Sequence, residues 1–157
     1  MNVAPAKEKK LRGRNPESNQ RKTHIEKLIS ERLGELHRPY PTRDHFCSTD
    51  AMVHVFITDS KGTYQTGPWF DMKKAHIEDL SCRPHAFVIF IQGGNDVFLV
   101  IPIEELQAKL QFHREGFAGD GYYHLEIPRG RSEFHQIPGW DLRQYRNKIE
   151  LIPLLPR

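Results

Sequence analysis

Two Asp-x-Lys triplets, Asp59-Ser60-Lys61 and Asp71-Met72-Lys73, have residue types and spacing suited to chemistry on phosphate esters. Asp50 lies upstream of both, and Glu26 and Glu31 stand further back. Cleavage of a phosphodiester with Mg2+ needs two carboxylates to hold the metal and a lysine to position or activate water. Asp50, Asp59 and Asp71 are therefore the candidate metal ligands. With Lys61 and Lys73 they form the candidate catalytic set. Each triplet also has a structural reading. Asp59-Ser60-Lys61-Gly62 has the residue types of a type I turn closing on glycine. Asp71 is well placed to cap a helix running to Leu80.

A second group of residues suits binding without catalysis. Lys9, Lys10, Arg12 and Arg14 crowd the N-terminus, and Arg38 and Arg43 lie in a proline-punctuated linker. Lys73 and Lys74 stand together, and Arg129 and Arg131 flank a glycine at a turn. Such residues neutralise phosphates, and arginine adds bidentate hydrogen bonding to base edges. Tyr40, Tyr64 and Tyr122 are aromatics that can stack on the bases of a single strand. Other chemistries find little support. The nine histidines lack the short, regular spacing of a structural zinc site. The serines have no GxSxG context, and Gly116–Gly121 lacks the Lys-Ser/Thr that completes a P-loop.

Charge is divided unevenly along the chain. Residues 1–22 hold seven Lys/Arg and two acids, a net +5, which leaves the other 135 residues at −2. The basic character therefore belongs to the N-terminal stretch, and any binding face elsewhere must be a local patch. That stretch has almost no apolar content and is expected to be a disordered basic arm. No apolar run approaches the ~20 residues of a membrane helix, and no apolar segment follows the N-terminal charges as in a secretory signal. Cys47 and Cys82 stand outside any paired motif, so a reduced, cytoplasmic chain is expected.

These residues must be positioned by the elements around them. Thr23-His24-Ile25-Glu26 has the form of a capping box, and Ile25, Leu28, Ile29, Leu33 and Leu36 follow at helical spacing. Residues 52–58 alternate as a strand. The turn at 59–62 would return it through Thr63-Tyr64-Gln65, and the helix headed by Asp71 would follow. Ala86–Ile91 and Val97–Ile101 are apolar without alternation, the pattern of strands covered on both faces, and Gln92–Asp96 suits a reversal between them. Pro102 ends the second strand and opens a helix bearing Ile103, Leu106 and Leu110. A strand over 122–127 would turn at Arg129-Gly130-Arg131 and return over 132–137, and Asp141 would cap a last short helix. The expected fold is α+β: residues 23–157 form one domain, with a mixed or antiparallel sheet of hairpins flanked by about three helices, behind an arm over 1–22.

In its run of helix, acid-bearing hairpin, D-x-K, helix and apolar strand ending VFLVIP, the segment Thr23–Leu110 resembles the PD-(D/E)xK, or restriction-endonuclease-like, nucleases. Thr49 stands where the superfamily pattern has proline before the first acid. The resemblance implies DNA as the target and, for an active member, Mg2+ at the acids named above. The leading expectation is a small DNA-binding protein that uses its arm and loop arginines. A Mg2+-dependent nuclease is the alternative. A third reading is a protein-interaction or inhibitor module, paired with a protein partner or a second copy, in which Gly116–Gly121 and the Pro153-Leu154-Leu155-Pro156 end serve as docking elements.

Overall fold

The computed structural model describes residues 16–39, 44–60, 67–92, 97–111 and 121–155. Its centre is the expected apolar hairpin. β4 (His85–Ile91) and β5 (Phe98–Pro102) pair antiparallel, and both lie in a four-stranded mixed sheet. β1 (His45–Cys47) runs antiparallel to β2 (Val53–Asp59), and β2 runs parallel to β4, giving the order β1-β2-β4-β5.

Both faces of this sheet are covered, which explains why β4 has no polar alternation. Phe87, Ile89 and Ile91 pack with Val53, Val55 and Ile57 against Ile25, Ile29 and Leu33 of the first helix. Ala86, Val88 and Phe90 join Leu99 and Ile101 in a second cluster on the opposite side, with Ile77, Leu80, Ile103 and Leu106. The fold is thus α+β, as the sequence implies, a single small domain with three α-helices and two sheets among the described residues.

The first helix, α1, spans Pro16–Leu33 and so begins seven residues before the Thr23 capping box. Proline's fixed φ suits a first helical turn, and Glu17 in that turn complements the helix dipole. Thr23 and Glu26 consequently lie mid-helix, and residues 16–22 of the expected arm are helical. Arg21 and Lys22 form ion pairs with Asp59 and Asp44 at 2.8 and 3.0 Å. Gly34, at φ +76, ends the helix with its N–H on the Ser30 carbonyl at 2.8 Å.

The largest departure from expectation is at Asp71. Residues Trp69–Lys73 are a strand, β3, and helix α2 starts only at Lys74 and runs to Ser81. Phe70 and Met72 alternate into the core and are almost fully buried, a period of two that a helix cannot satisfy. β3 pairs antiparallel with β6 (Tyr122–Glu126) in a separate two-stranded ribbon. The expected return strand over 132–137 does not form, and β6 takes β3 as its partner. Phe134 and Ile137 instead anchor a series of turns, Phe134 against Phe90 with ring centroids 5.4 Å apart.

Helix α3 (Ile103–Gln111) follows Pro102 as expected. Asp141 caps the 3-10 turn Leu142–Tyr145, its Oδ1 accepting from the Arg143 N–H at 2.9 Å. A second 3-10 turn, Ile149–Leu151, leads to buried Ile152 under α1, where Arg32 Nε donates to the Ile152 carbonyl at 2.6 Å. The predicted turn after Asp59 and its return strand lie outside the described residues.

Candidate functional site

The β3–β6 ribbon is held at one end by a contact only glycine permits. Gly67 sits at φ +123, and a Cβ there would lie 2.1 Å from the Ile127 carbonyl oxygen. That close approach lets the Ile127 N–H reach the Pro68 carbonyl at 2.9 Å. At the other end the Lys74 N–H donates to the Gly121 carbonyl at 2.9 Å. Between these points five residue pairs are in register, from Trp69 opposite Glu126 to Lys73 opposite Tyr122.

Side chains alternate across a strand, so Phe70, Met72, Tyr123 and Leu125 turn inward while Trp69, Asp71, Lys73, Tyr122, His124 and Glu126 share the outer face. Two cross-strand pairs there carry chemistry. Asp71 stands directly opposite His124, and its Oδ1 is hydrogen-bonded to the imidazole Nδ1. Asp71 is largely covered, whereas 36% of the His124 side chain is exposed. One pleat along, the Lys73 ammonium lies 6.0 Å from the centre of the Tyr122 ring, its register partner. The Tyr122 and His124 rings lie side by side at 6.3 Å, inclined by 26°. Asp71 thus fixes an imidazole by one nitrogen, and an ammonium and a phenol stand beside it.

Charge brackets this ladder. Lys73 and Lys74 are exposed at one end. Past the other end, Arg129 and Arg131 are exposed around Gly130, whose φ of +77 makes the turn that the sequence implies. Arg131 keeps a loose contact with Glu133 at 3.4 Å and is 69% exposed. The paired ladder between the two basic ends is four residue steps long, roughly 14 Å.

The remaining sequence candidates serve other purposes. Asp50 lies in the turn before β2, accepting from Ser48 Oγ at 2.5 Å and the Met52 N–H at 3.1 Å, and these bonds hold its carboxyl below the usual range. Asp59 ends β2, where Arg21 grips its Oδ2 from Nη2 and Nε, and its Oδ1 is buried with no hydrogen-bond partner. Asp50 and Asp59 are therefore at opposite ends of a seven-residue strand spanning roughly 20 Å. Asp71 belongs to the other sheet. Among the described residues no three of His, Cys, Asp or Glu come together as a metal site. The set Asp50, Asp59 and Asp71 does not fit the Mg2+ cradle that the nuclease resemblance implies. Arg38 is exposed, 3.8 Å from Glu26 and 5.0 Å over the Phe46 ring. Lys9, Lys10, Arg12, Arg14, Arg43 and Lys61 lie outside the described residues.

The expected strand over 122–127 includes His124, but its residue type alone gives it no role. The missing information was the register that sets it against Asp71, 53 residues away. A histidine pair was also missed. His45 and His54, in adjacent strands, are buried, with His45 Nε2 2.9 Å from His54 Nδ1 and His54 Nε2 2.9 Å from the Ala51 carbonyl. The carbonyl can only accept, so His54 Nε2–H donates and its Nδ1 accepts from His45 Nε2–H. Burial, then the neighbouring His54, pushes His45 down to about 4, and burial lowers His54 as well.

Among the described residues no helix is long and apolar enough to cross a membrane. Both cysteines are free, Cys47 buried and Cys82 exposed. No protein family, curated protein or solved structure matches this chain.

Proposed function

We propose that this protein binds nucleic acid through the outer face of the β3–β6 ribbon, in a cytoplasmic setting. One observation carries the reading: an aromatic and cationic ladder, Tyr122–Lys73 beside His124–Asp71, stands between two basic ends. Lys73, Lys74, Arg129 and Arg131 supply phosphate contacts at both ends of the face, releasing counterions as they bind. Tyr122 and Trp69 offer ring surface to bases, an interaction of about 1–3 kcal/mol per stacked base and indifferent to sequence. Lys9, Lys10, Arg12 and Arg14 add salt-sensitive affinity. DNA is the target that the nuclease resemblance implies, and the ribbon side chains themselves suit any single strand.

A Mg2+-dependent nuclease, the alternative, lacks a three-ligand site among the described residues and keeps one observation in its favour. Asp71 and Lys73 alternate along a strand rather than heading a helix, so the D-x-K pair shares a face.

Fluorescence anisotropy with labelled single-stranded and duplex oligonucleotides, titrated in EDTA and in Mg2+ over a salt series, tests both. Binding should weaken linearly in log–log form with salt. Lys73→Ala should reduce the slope by about 0.7 on a single strand. No binding at about 50 mM salt defeats the proposal. Shortened products that appear only with Mg2+ would establish the second reading.

A further inference from the structure

Beyond β6 the chain holds a second concentration of positive charge. Residues 129–146 carry four arginines, Arg129, Arg131, Arg143 and Arg146, against two acids, Glu133 and Asp141. That net +2 stands out in residues 23–157, whose total is −2. All four arginines are exposed, while Phe134, Leu142 and Tyr145 of the same segment are at most 3% exposed and anchor it to the core. The backbone is tied down as well. The His135 N–H donates to the Glu126 carbonyl of β6 at 2.7 Å, and the Asn147 N–H to the Phe98 carbonyl of β5 at 2.7 Å. The arginines thus extend from a scaffold fixed to both sheets.

Ser132 is the point at which they meet. Arg131 precedes it in sequence, and Arg146 Nη2 lies 3.4 Å from its Oγ. The Leu142 N–H donates to the Ser132 carbonyl at 2.8 Å, which sets Arg143, the next residue, beside the same point. Both acids hold the scaffold. Glu133 accepts the Gly139 N–H at 2.8 Å, and Asp141 caps the 3-10 turn while gripping Arg143 through Nε and Nη2. A guanidinium presents five N–H donors in a rigid fork, so Asp141 orients Arg143 by one edge and leaves three donors for a second anion.

Resting on the nucleic-acid-binding reading, we propose that Arg143 and Arg146, with the Ser132 hydroxyl, form a further phosphate-binding site that continues the ribbon face. The backbone of a bound single strand then runs from Lys73 past Arg131 onto the 3-10 turn Leu142–Tyr145. Arg129 and Arg131 belong both to the ribbon's end and to the cluster, so the two surfaces are continuous. Arginine forks match phosphate oxygens in pairs, and such charge-assisted bonds are the strong ones. Phe134, Trp140 and Tyr145, the large aromatics of this segment, are buried, so they offer bases no stacking surface. The cluster contacts phosphate alone, which supplies affinity and register and carries no sequence information. Stacking stays on the ribbon.

The test is fluorescence anisotropy of the full chain with labelled single strands, oligothymidylate and oligoadenylate of one length, over a salt series. Arg143→Gln/Arg146→Gln should lower the log–log salt slope by about 1.4, two contacts at about 0.7 each, and equally on both strands. Ser132→Asp sets a carboxylate among the arginines and should weaken binding without removing a cation. Lys27→Gln, which removes an exposed charge on α1, should leave the slope unchanged. An unchanged slope in the arginine variant, or unchanged affinity in Ser132→Asp, with Lys73→Ala still lowering the slope, overturns the proposal and leaves the binding reading intact. A loss on one base sequence alone overturns it too, because a phosphate site reads no base. If the arginine variant keeps oligonucleotide binding but loses binding of polyglutamate, the cluster belongs to an acidic protein partner and the proposal falls. If neither strand binds wild type at about 50 mM salt, the binding reading falls, and this proposal with it.

Discussion

Replacing Gly67 by alanine should unseat the ribbon, and the structure sets the size of the effect. The added Cβ would lie 2.1 Å from the Ile127 carbonyl oxygen, 2.9 Å from the Arg129 nitrogen and 3.2 Å from the Ile127 carbonyl carbon. All three are backbone atoms, so no flexible side chain can swing aside, and one strand end must move by about 1 Å to restore ordinary contact. That overpacking costs about 1–3 kcal/mol. Holding alanine at φ +123 adds about 1–3 kcal/mol more. The sum, roughly 4 kcal/mol, is a large part of the 5–15 kcal/mol typical of a domain. Gly139→Ala is the control: its φ is +86, but nothing lies within 4 Å of its added Cβ, so only conformational strain of about 1–2 kcal/mol remains. Urea unfolding followed by circular dichroism measures both. A Gly67→Ala loss within about 0.5 kcal/mol of the Gly139→Ala loss would refute the close-approach argument.

Arg21→Ala leaves the Asp59 carboxylate buried with neither oxygen compensated and should cost about 3 kcal/mol. The double variant Arg21→Ala/Asp59→Ala should recover part of this, and strict additivity in urea melts would show the pair to be uncoupled. The buried His45–His54 pair favours neutral imidazoles, so the folded state binds protons less readily than the unfolded chain. Stability from His45 is therefore complete above about pH 6.5 and is lost as pH falls toward about 4. Melting temperatures across that range should decline in wild type and more shallowly in His45→Gln. Identical pH slopes would sink the assignment. Deleting residues 1–15, which hold five Lys/Arg, should lower the salt slope of single-strand binding by up to about 3. An unchanged slope would show that the arm does not touch the phosphates.

What could be read from the sequence followed the reach of each signal. β4 and α3 were legible because burial on both faces, or along one helical stripe, is written into consecutive residues such as Phe87–Ile91 and Ile103–Leu110. β1 was not, since three residues behind Pro39 and Pro41 show no period. The start of α1 was overlooked because Thr23-x-x-Glu26 imitates a cap, although Asn15-Pro16-Glu17 has the residue types of a true helix start. Asp71 was misplaced for a similar reason: an aspartate before an apolar stripe looks like an N-cap, and only Phe70 and Met72 alternating inward mark a strand. The candidate site depended on that error. Asp71-Met72-Lys73 and Tyr122-Tyr123-His124 were each visible, but their meeting is fixed by a pairing 53 residues apart, carried by Gly67 and buried partners rather than by any local motif. Conversely, Asp50 and Asp59 had the right residue types for a metal site, but Asp50 is bonded within its own turn by Ser48 and Met52, and Asp59 by Arg21 from 38 residues away.

The central claim is that nucleic acid lies on the outer face of the ribbon. Photo-crosslinking of the full chain to a single-stranded oligonucleotide, followed by peptide mass spectrometry, locates the contact directly. Crosslinks should fall within Trp69–Lys74 and Tyr122–Arg131 and be lost in Lys73→Ala/Tyr122→Ala, while Lys27→Ala on α1 leaves them unchanged. Crosslinks confined to α1 or to residues 134–155, with both ribbon strands unmarked, would contradict it.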